Sequence, residues 1–100
     1  MKILYRSREM KVVKSQYVNN DALYVGLLDE DGDLYGDVTV NLPNSGTLPS
    51  DCAFVDSNNM PNITRSLMEF GIAQPTGQSA RSGFCLYNVF RFDLTKIDPM

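Results

Sequence analysis

The acidic pentapeptide Asp29-Glu30-Asp31-Gly32-Asp33 lies between two apolar runs, residues 22–28 and 34–42. Asp-Gly flanked by strand-length apolar segments is a hairpin signal, because glycine takes the positive φ that a tight turn demands. This feature commits the chain to antiparallel pairing near its middle. Residues 22–28, Ala-Leu-Tyr-Val-Gly-Leu-Leu, read as a strand apolar on both faces. The return strand, over about residues 34–42, alternates: Val38, Val40 and Leu42 face one way, Asp37, Thr39 and Asn41 the other.

The rest of the chain extends this pattern. Residues 2–5 suit an edge strand, and the β-branched stretch 10–18 a longer one, closed by the turn Asn19-Asn20-Asp21. Residues 43–51 are rich in turn formers and predict a loop, and 52–55, Cys-Ala-Phe-Val, a short strand. A helix is expected to open over 56–59, with Asn59 as N-cap and Pro61 in the first turn, where its missing N–H costs nothing. Ile63, Leu67 and Phe70 share one helical face, and Gly71 ends the helix as a C′ residue with positive φ. Residues 72–83, with Pro75, Gly77 and Gly83, predict a second loop. Residues 84–92, dense in aromatics, predict a central strand.

The expected fold class is therefore α+β: a single domain over residues 1–100, with about five antiparallel strands and one helix packed on one face of the sheet. A chain of 100 residues with 43% hydrophobic and 21% charged residues is large enough for one core. No run approaches the roughly 18 apolar residues that span a bilayer. The Met1–Arg6 stretch is too short for a signal-peptide core, so a cytoplasmic location is expected.

The net charge of −3 conceals a segregation. Residues 1–20 carry Lys2, Arg6, Arg8, Lys11 and Lys14 against Glu9 alone. Residues 21–60 carry Asp21, Asp29, Glu30, Asp31, Asp33, Asp37, Asp51 and Asp56 with no lysine or arginine. Such asymmetry creates a field that a partner can feel. The candidate partner-binding residues are Asp29, Glu30, Asp31, Asp33 and Asp37 on one hairpin, with Asp21, Asp51, Asp56 and Arg81 as secondary candidates.

The same residues argue against several chemistries. The chain has no histidine, which removes Ser-His and Cys-His nucleophiles and the commonest metal ligand. Cys52 and Cys85 are too few for structural zinc and are expected to be reduced, packed thiols. Counted as an EF-hand from Asp29, the loop has its glycine at the fourth position instead of the sixth, and Val40 where the bidentate glutamate belongs. No Gly-Lys-Ser/Thr follows Gly71, Gly77 and Gly83, so there is no P-loop, although Arg81 is placed to meet an anion. Asn62-Ile63-Thr64 matches a glycosylation acceptor but falls inside the expected helix. Neither a cofactor nor a metal is expected, and no enzymatic activity. The acidic balance disfavours direct nucleic-acid binding.

Four stretches resemble a known family: Tyr35-Gly-Asp-Val-Thr-Val-Asn-Leu42, residues 48–61 (Leu-Pro-Ser-Asp-Cys-Ala-Phe-Val-Asp-Ser-Asn-Asn-Met-Pro), Gly71-Ile-Ala-Gln-Pro-Thr-Gly77 and Ser82-Gly-Phe-Cys-Leu-Tyr-Asn-Val-Phe-Arg-Phe92. In order and spacing, residues 22–97 look like domain of unknown function 4313. The resemblance carries over no catalytic residues. It implies a setting on plasmids, conjugative elements and phages of Gram-positive bacteria, where small acidic proteins often block host defence. Together with the charge map it yields one expectation: a non-enzymatic inhibitor of anti-CRISPR type, its acidic hairpin entering the basic channel of a host nucleic-acid-guided nuclease. The alternative is an accessory protein that binds another element-encoded protein or nucleic acid through the basic first strand or Arg81.

Overall fold

A computed structural model describes all residues 1–100. The chain forms β1 (Lys2–Tyr5), β2 (Arg8–Gln16), β3 (Leu23–Leu28), β4 (Leu34–Asp37), β5 (Thr39–Val40), β6 (Cys52–Val55), α1 (Ile63–Glu69), β7 (Ala73–Ser82), β8 (Cys85–Phe92) and β9 (Asp98–Pro99), with short 3-10 turns at Pro43–Ser45 and Leu94–Lys96. The α+β class holds, with antiparallel pairing throughout except between β2 and β9, which run parallel.

There are two sheets where one was expected. The first runs β1-β2-β3-β4, with β9 joining the β2 edge beyond β1, and the second runs β5-β6-β8-β7. The expected return strand 34–42 breaks at Val38, which donates to the Val25 carbonyl and accepts from the Asp56 N–H, tying it to both sheets. Thr39, expected on the face opposite Val38 and Val40, is 2% exposed. Its hydroxyl accepts the Val25 N–H at 3.1 Å and bonds the Tyr17 hydroxyl at 2.9 Å. A buried hydroxyl with partners on both sides is tolerated, so the register can shift where the chain changes sheets.

The two sheets curl around one core. Ile3, Met10, Val12, Val25 and Leu27 from the first sheet meet Val55, Phe90 and Phe92 from the second. Ile63 and Leu67 of α1 are fully buried in the same cluster, and α1 packs against β1 and β7, the outermost strands of the two sheets. The helix thus does not lie on one face of a single sheet; it fills the gap between two sheet edges, closing the curl. This also protects edges that would otherwise invite pairing. A second small cluster of Cys52, Phe54 and Val89 lies on the outer face of the second sheet beneath Val40, Leu42 and Leu48. Burial on both faces explains why all four residues of β6 are apolar.

Two further expectations change. Asn59 does not cap the helix. It belongs to the preceding turn, while Asn62, at φ 66°, occupies the N-cap without a side-chain bond. Residues 72–83 are no loop. Ten of them form β7, which pairs with β8 and takes up Pro75 and Gly77 at a register shift between Pro75 and Ser79. Proline is admissible there because β7 is an edge strand. β8 is central in its sheet, but Phe84 precedes it in the hairpin turn and is fully exposed.

Candidate functional site

The tip of the β3–β4 hairpin is built by Asp29. Its Oδ1 accepts the N–H groups of Asp31 at 2.9 Å and Asp33 at 3.0 Å, its backbone N–H donates to the Asp33 carbonyl, and its carbonyl accepts the Gly32 N–H. Gly32, at φ 83°, supplies the left-handed turn position. The side chain of an aspartate thus folds the loop that displays its neighbours. Carboxylate oxygens of Asp29, Asp31 and Asp33 lie within 4.8 Å of one another, and Glu30, Asp31 and Asp33 are exposed. One of the three carboxylates is already bound to two N–H groups of the loop. None of these acids pairs with a cation of the chain.

The other acids are dispersed. Asp37 lies back from the tip, opposite Gly26, where it accepts the Tyr24 hydroxyl at 2.5 Å. Burial, and then that bond, push the Tyr24 phenol far above its ordinary value of 10.0. A Cβ at Gly26 would stand 2.5 Å from the Tyr24 hydroxyl, so the glycine makes room for the ring that reaches Asp37. Asp21 is exposed in the turn before β3, at the opposite end of that strand from the tip, roughly 20 Å away at strand rise. Asp51 pairs with Arg91 at 3.3 Å and accepts the Cys52 thiol. Asp56 is buried and accepts both the backbone and side-chain N–H groups of Asn59, which makes it a turn-builder inside the fold. The eight acids therefore do not share a face. Four of them, Asp29, Glu30, Asp31 and Asp33, make the patch.

The basic N-terminal segment is partly engaged within the chain. Lys2 pairs with Glu9 at 3.2 Å, Lys11 with Asp98 at 3.7 Å, and Lys14 donates to the Leu94 carbonyl at 2.6 Å. Arg6 and Arg8 have no carboxylate partner. Their guanidinium groups lie 5.9 Å from the Tyr5 ring centroid and 5.5 Å from that of Tyr35, and the two rings meet edge to face at 6.1 Å. Sequence reasoning missed this arrangement. The only local signal was Tyr5-Arg6-Ser7-Arg8, because Tyr35 comes from another strand. Arg81 sits exposed near the end of β7, opposite Leu86, on strand and not in a loop.

The thiols are free. Cys52 is buried on β6, and burial together with the Asp51 carboxylate raises its pKa, which favours the unreactive thiol. Cys85 is half-buried near the β7–β8 turn.

A family profile described as Domain of unknown function (DUF4313) matches residues 11–99, from within β2 to the last strand. The chain belongs to this family. Among curated proteins and among solved structures, none matches. The DUF4313 match includes the acidic hairpin, Tyr24, Asp56 and the whole second sheet, while β1, Arg6 and Arg8 precede it. Of the stretches that resembled the family, the match confirms the family alone. No helix of this DUF4313 domain is long and apolar enough to cross a membrane.

Proposed function

We propose that this protein is a non-enzymatic binding protein of a mobile genetic element. In this reading it is an anti-CRISPR-type inhibitor that docks its acidic hairpin against the basic channel of a host nucleic-acid-guided nuclease. One observation carries the reading: Asp29, Glu30, Asp31 and Asp33 crowd one turn and none of them forms an ion pair within the chain, whereas every lysine is engaged elsewhere. Unpaired like charges held together by a turn cost stability within the domain and gain it back against a positively charged surface. An exposed acidic tip also steers encounter with such a surface, and salt weakens that steering. The accessory-protein reading draws support from Arg6, Arg8 and Arg81, the three arginines left without a carboxylate.

The test is target cleavage by the host's purified RNA-guided nucleases, titrated with this protein and with a variant carrying lysine at positions 29, 30, 31 and 33. The expected result is inhibition by the natural chain, at least tenfold weaker in the variant and weaker at high salt. Inhibition that survives the charge reversal removes the acidic-hairpin mechanism. If no guided nuclease is inhibited, the inhibitor reading falls.

A further inference from the structure

Strand pairing brings the unpartnered arginines to the acidic hairpin. Lys11 is the residue opposite Leu28, where the β2–β3 pairing stops, so the 29–33 tip and the Arg8 end of β2 lie at the same end of the sheet. The turn joining β1 to β2 is at this same end, and both of its central residues, Arg6 at φ 53° and Ser7 at φ 63°, lie in the left-handed region, where asparagine and glycine are the usual occupants. On the facing strand the β3–β4 register shifts between Leu27 and Leu28, so Tyr35 stands as an extra residue and is aimed onto Tyr5. Next to it lies an open cavity of about 340 Å³ whose lining includes Tyr5, Arg6, Tyr35, Asn59 and the carboxylates of Asp37 and Asp56, with the arginine at its rim. Three irregular stretches of backbone thus converge on one mouth of the curled sheets.

We infer that this mouth is the anchor of the interface, where Arg6 and Arg8 grip an acidic side chain of a protein partner beside the basic surface that meets the hairpin tip. The inference rests on the proposed binding through that tip and adds the partner's chemistry. A guanidinium whose face lies over a tyrosine ring keeps its N–H edge for another group, and its planar fork matches a carboxylate. Arginine and tyrosine held in a pocket are the residue types that dominate interface energy. The acidic tip beside the arginines repels a nucleic-acid strand, whereas a protein surface can present a carboxylate and a basic patch a few ångströms apart. Arg6 and Arg8 precede the stretch that matches the DUF4313 profile.

The test uses the intact protein and three defined probes, hexaglutamate, hexalysine and a six-residue oligothymidylate, followed by the NMR signals of the arginine Nε–H groups and of the 29–33 amides. Hexaglutamate is expected to shift Arg6 and Arg8, at least tenfold more weakly after Arg6→Gln. Arg8→Lys, which keeps the charge and loses the fork, is expected to weaken it severalfold. Hexalysine is expected to move the 29–33 amides alone, which reports on the tip separately. An Arg6 and Arg8 response absent with hexaglutamate, unaltered in both variants, or stronger with oligothymidylate overturns the anchor. If hexalysine leaves the tip unmoved while hexaglutamate shifts the arginines, the anchor stands and the acidic-tip reading fails.

Discussion

Tyr24 couples a backbone requirement to a charge. Its ring crosses Gly26 to reach Asp37, and its hydroxyl is held protonated by burial and by that carboxylate. Tyr5 and Tyr17 are also raised, chiefly by burial. A phenol whose folded pKa exceeds its unfolded value contributes stability that is fully present below the unfolded value, near 10.0. That contribution is lost as pH rises further toward the folded value, because the folded state then binds more protons than the unfolded one. Urea midpoints are therefore expected to hold up to about pH 9 and to fall above about pH 10. Tyr24→Phe, which cannot ionise, is expected to show a smaller fall than the natural chain. An equal fall in both would mean that Tyr24 does not contribute to the alkaline loss.

At the scale of the element, α1 depends on how it ends. Seven residues are too few for a helix to persist by propensity. Its C-terminus closes with the Ile72 N–H on the Leu67 carbonyl at 2.8 Å and the Gly71 N–H on the Met68 carbonyl at 3.1 Å, around Gly71 at φ 68°. This double bond pattern, with Ile72 and Leu67 both buried, is a Schellman termination. The Gly71 carbonyl also accepts the Lys96 ammonium at 3.1 Å, and a Cβ at Gly71 would come as close to that nitrogen. Gly71→Ala is expected to cost about 1–2 kcal/mol, mainly from forcing an L side chain into the left-handed region. Equilibrium urea denaturation checks it, and a loss below a few tenths would show that the turn relaxes.

At the scale of the molecule, both sheets and the helix share one core, so no part can open without exposing the others. Leu67 is fully buried where α1 bridges the outermost strands. Leu67→Ala is expected to cost about 2–5 kcal/mol through lost burial and the cavity left behind. Loss is expected in a single transition, with fluorescence of the tyrosines and far-ultraviolet circular dichroism coinciding. Two separated transitions would mean that the sheets unfold independently.

Local chemistry made much of this legible. The Asp-Gly turn with its flanking strands, the Ile63–Leu67 helical face, the Gly71 stop and the short β6 run all follow from residues close in sequence, since turn geometry and periodicity act over a few bonds. The expected loop at 72–83 failed because Pro75, Gly77 and Gly83 break local propensity, yet an edge strand accommodates proline and a hairpin turn accommodates glycine once β8 is there to pair with. The single-sheet expectation failed at Val38 and Thr39, whose partners Val25, Tyr17 and Asp56 are distant in the chain. The acidic tip was readable because Asp29 organises its own loop. That Asp56 is buried, that Asp51 is neutralised by Arg91, and that Arg6 and Arg8 stand over tyrosines beside the tip were decided by tertiary structure alone. Charge is a property of the residue, but whether a charge is free, paired or buried depends on which strands pack together.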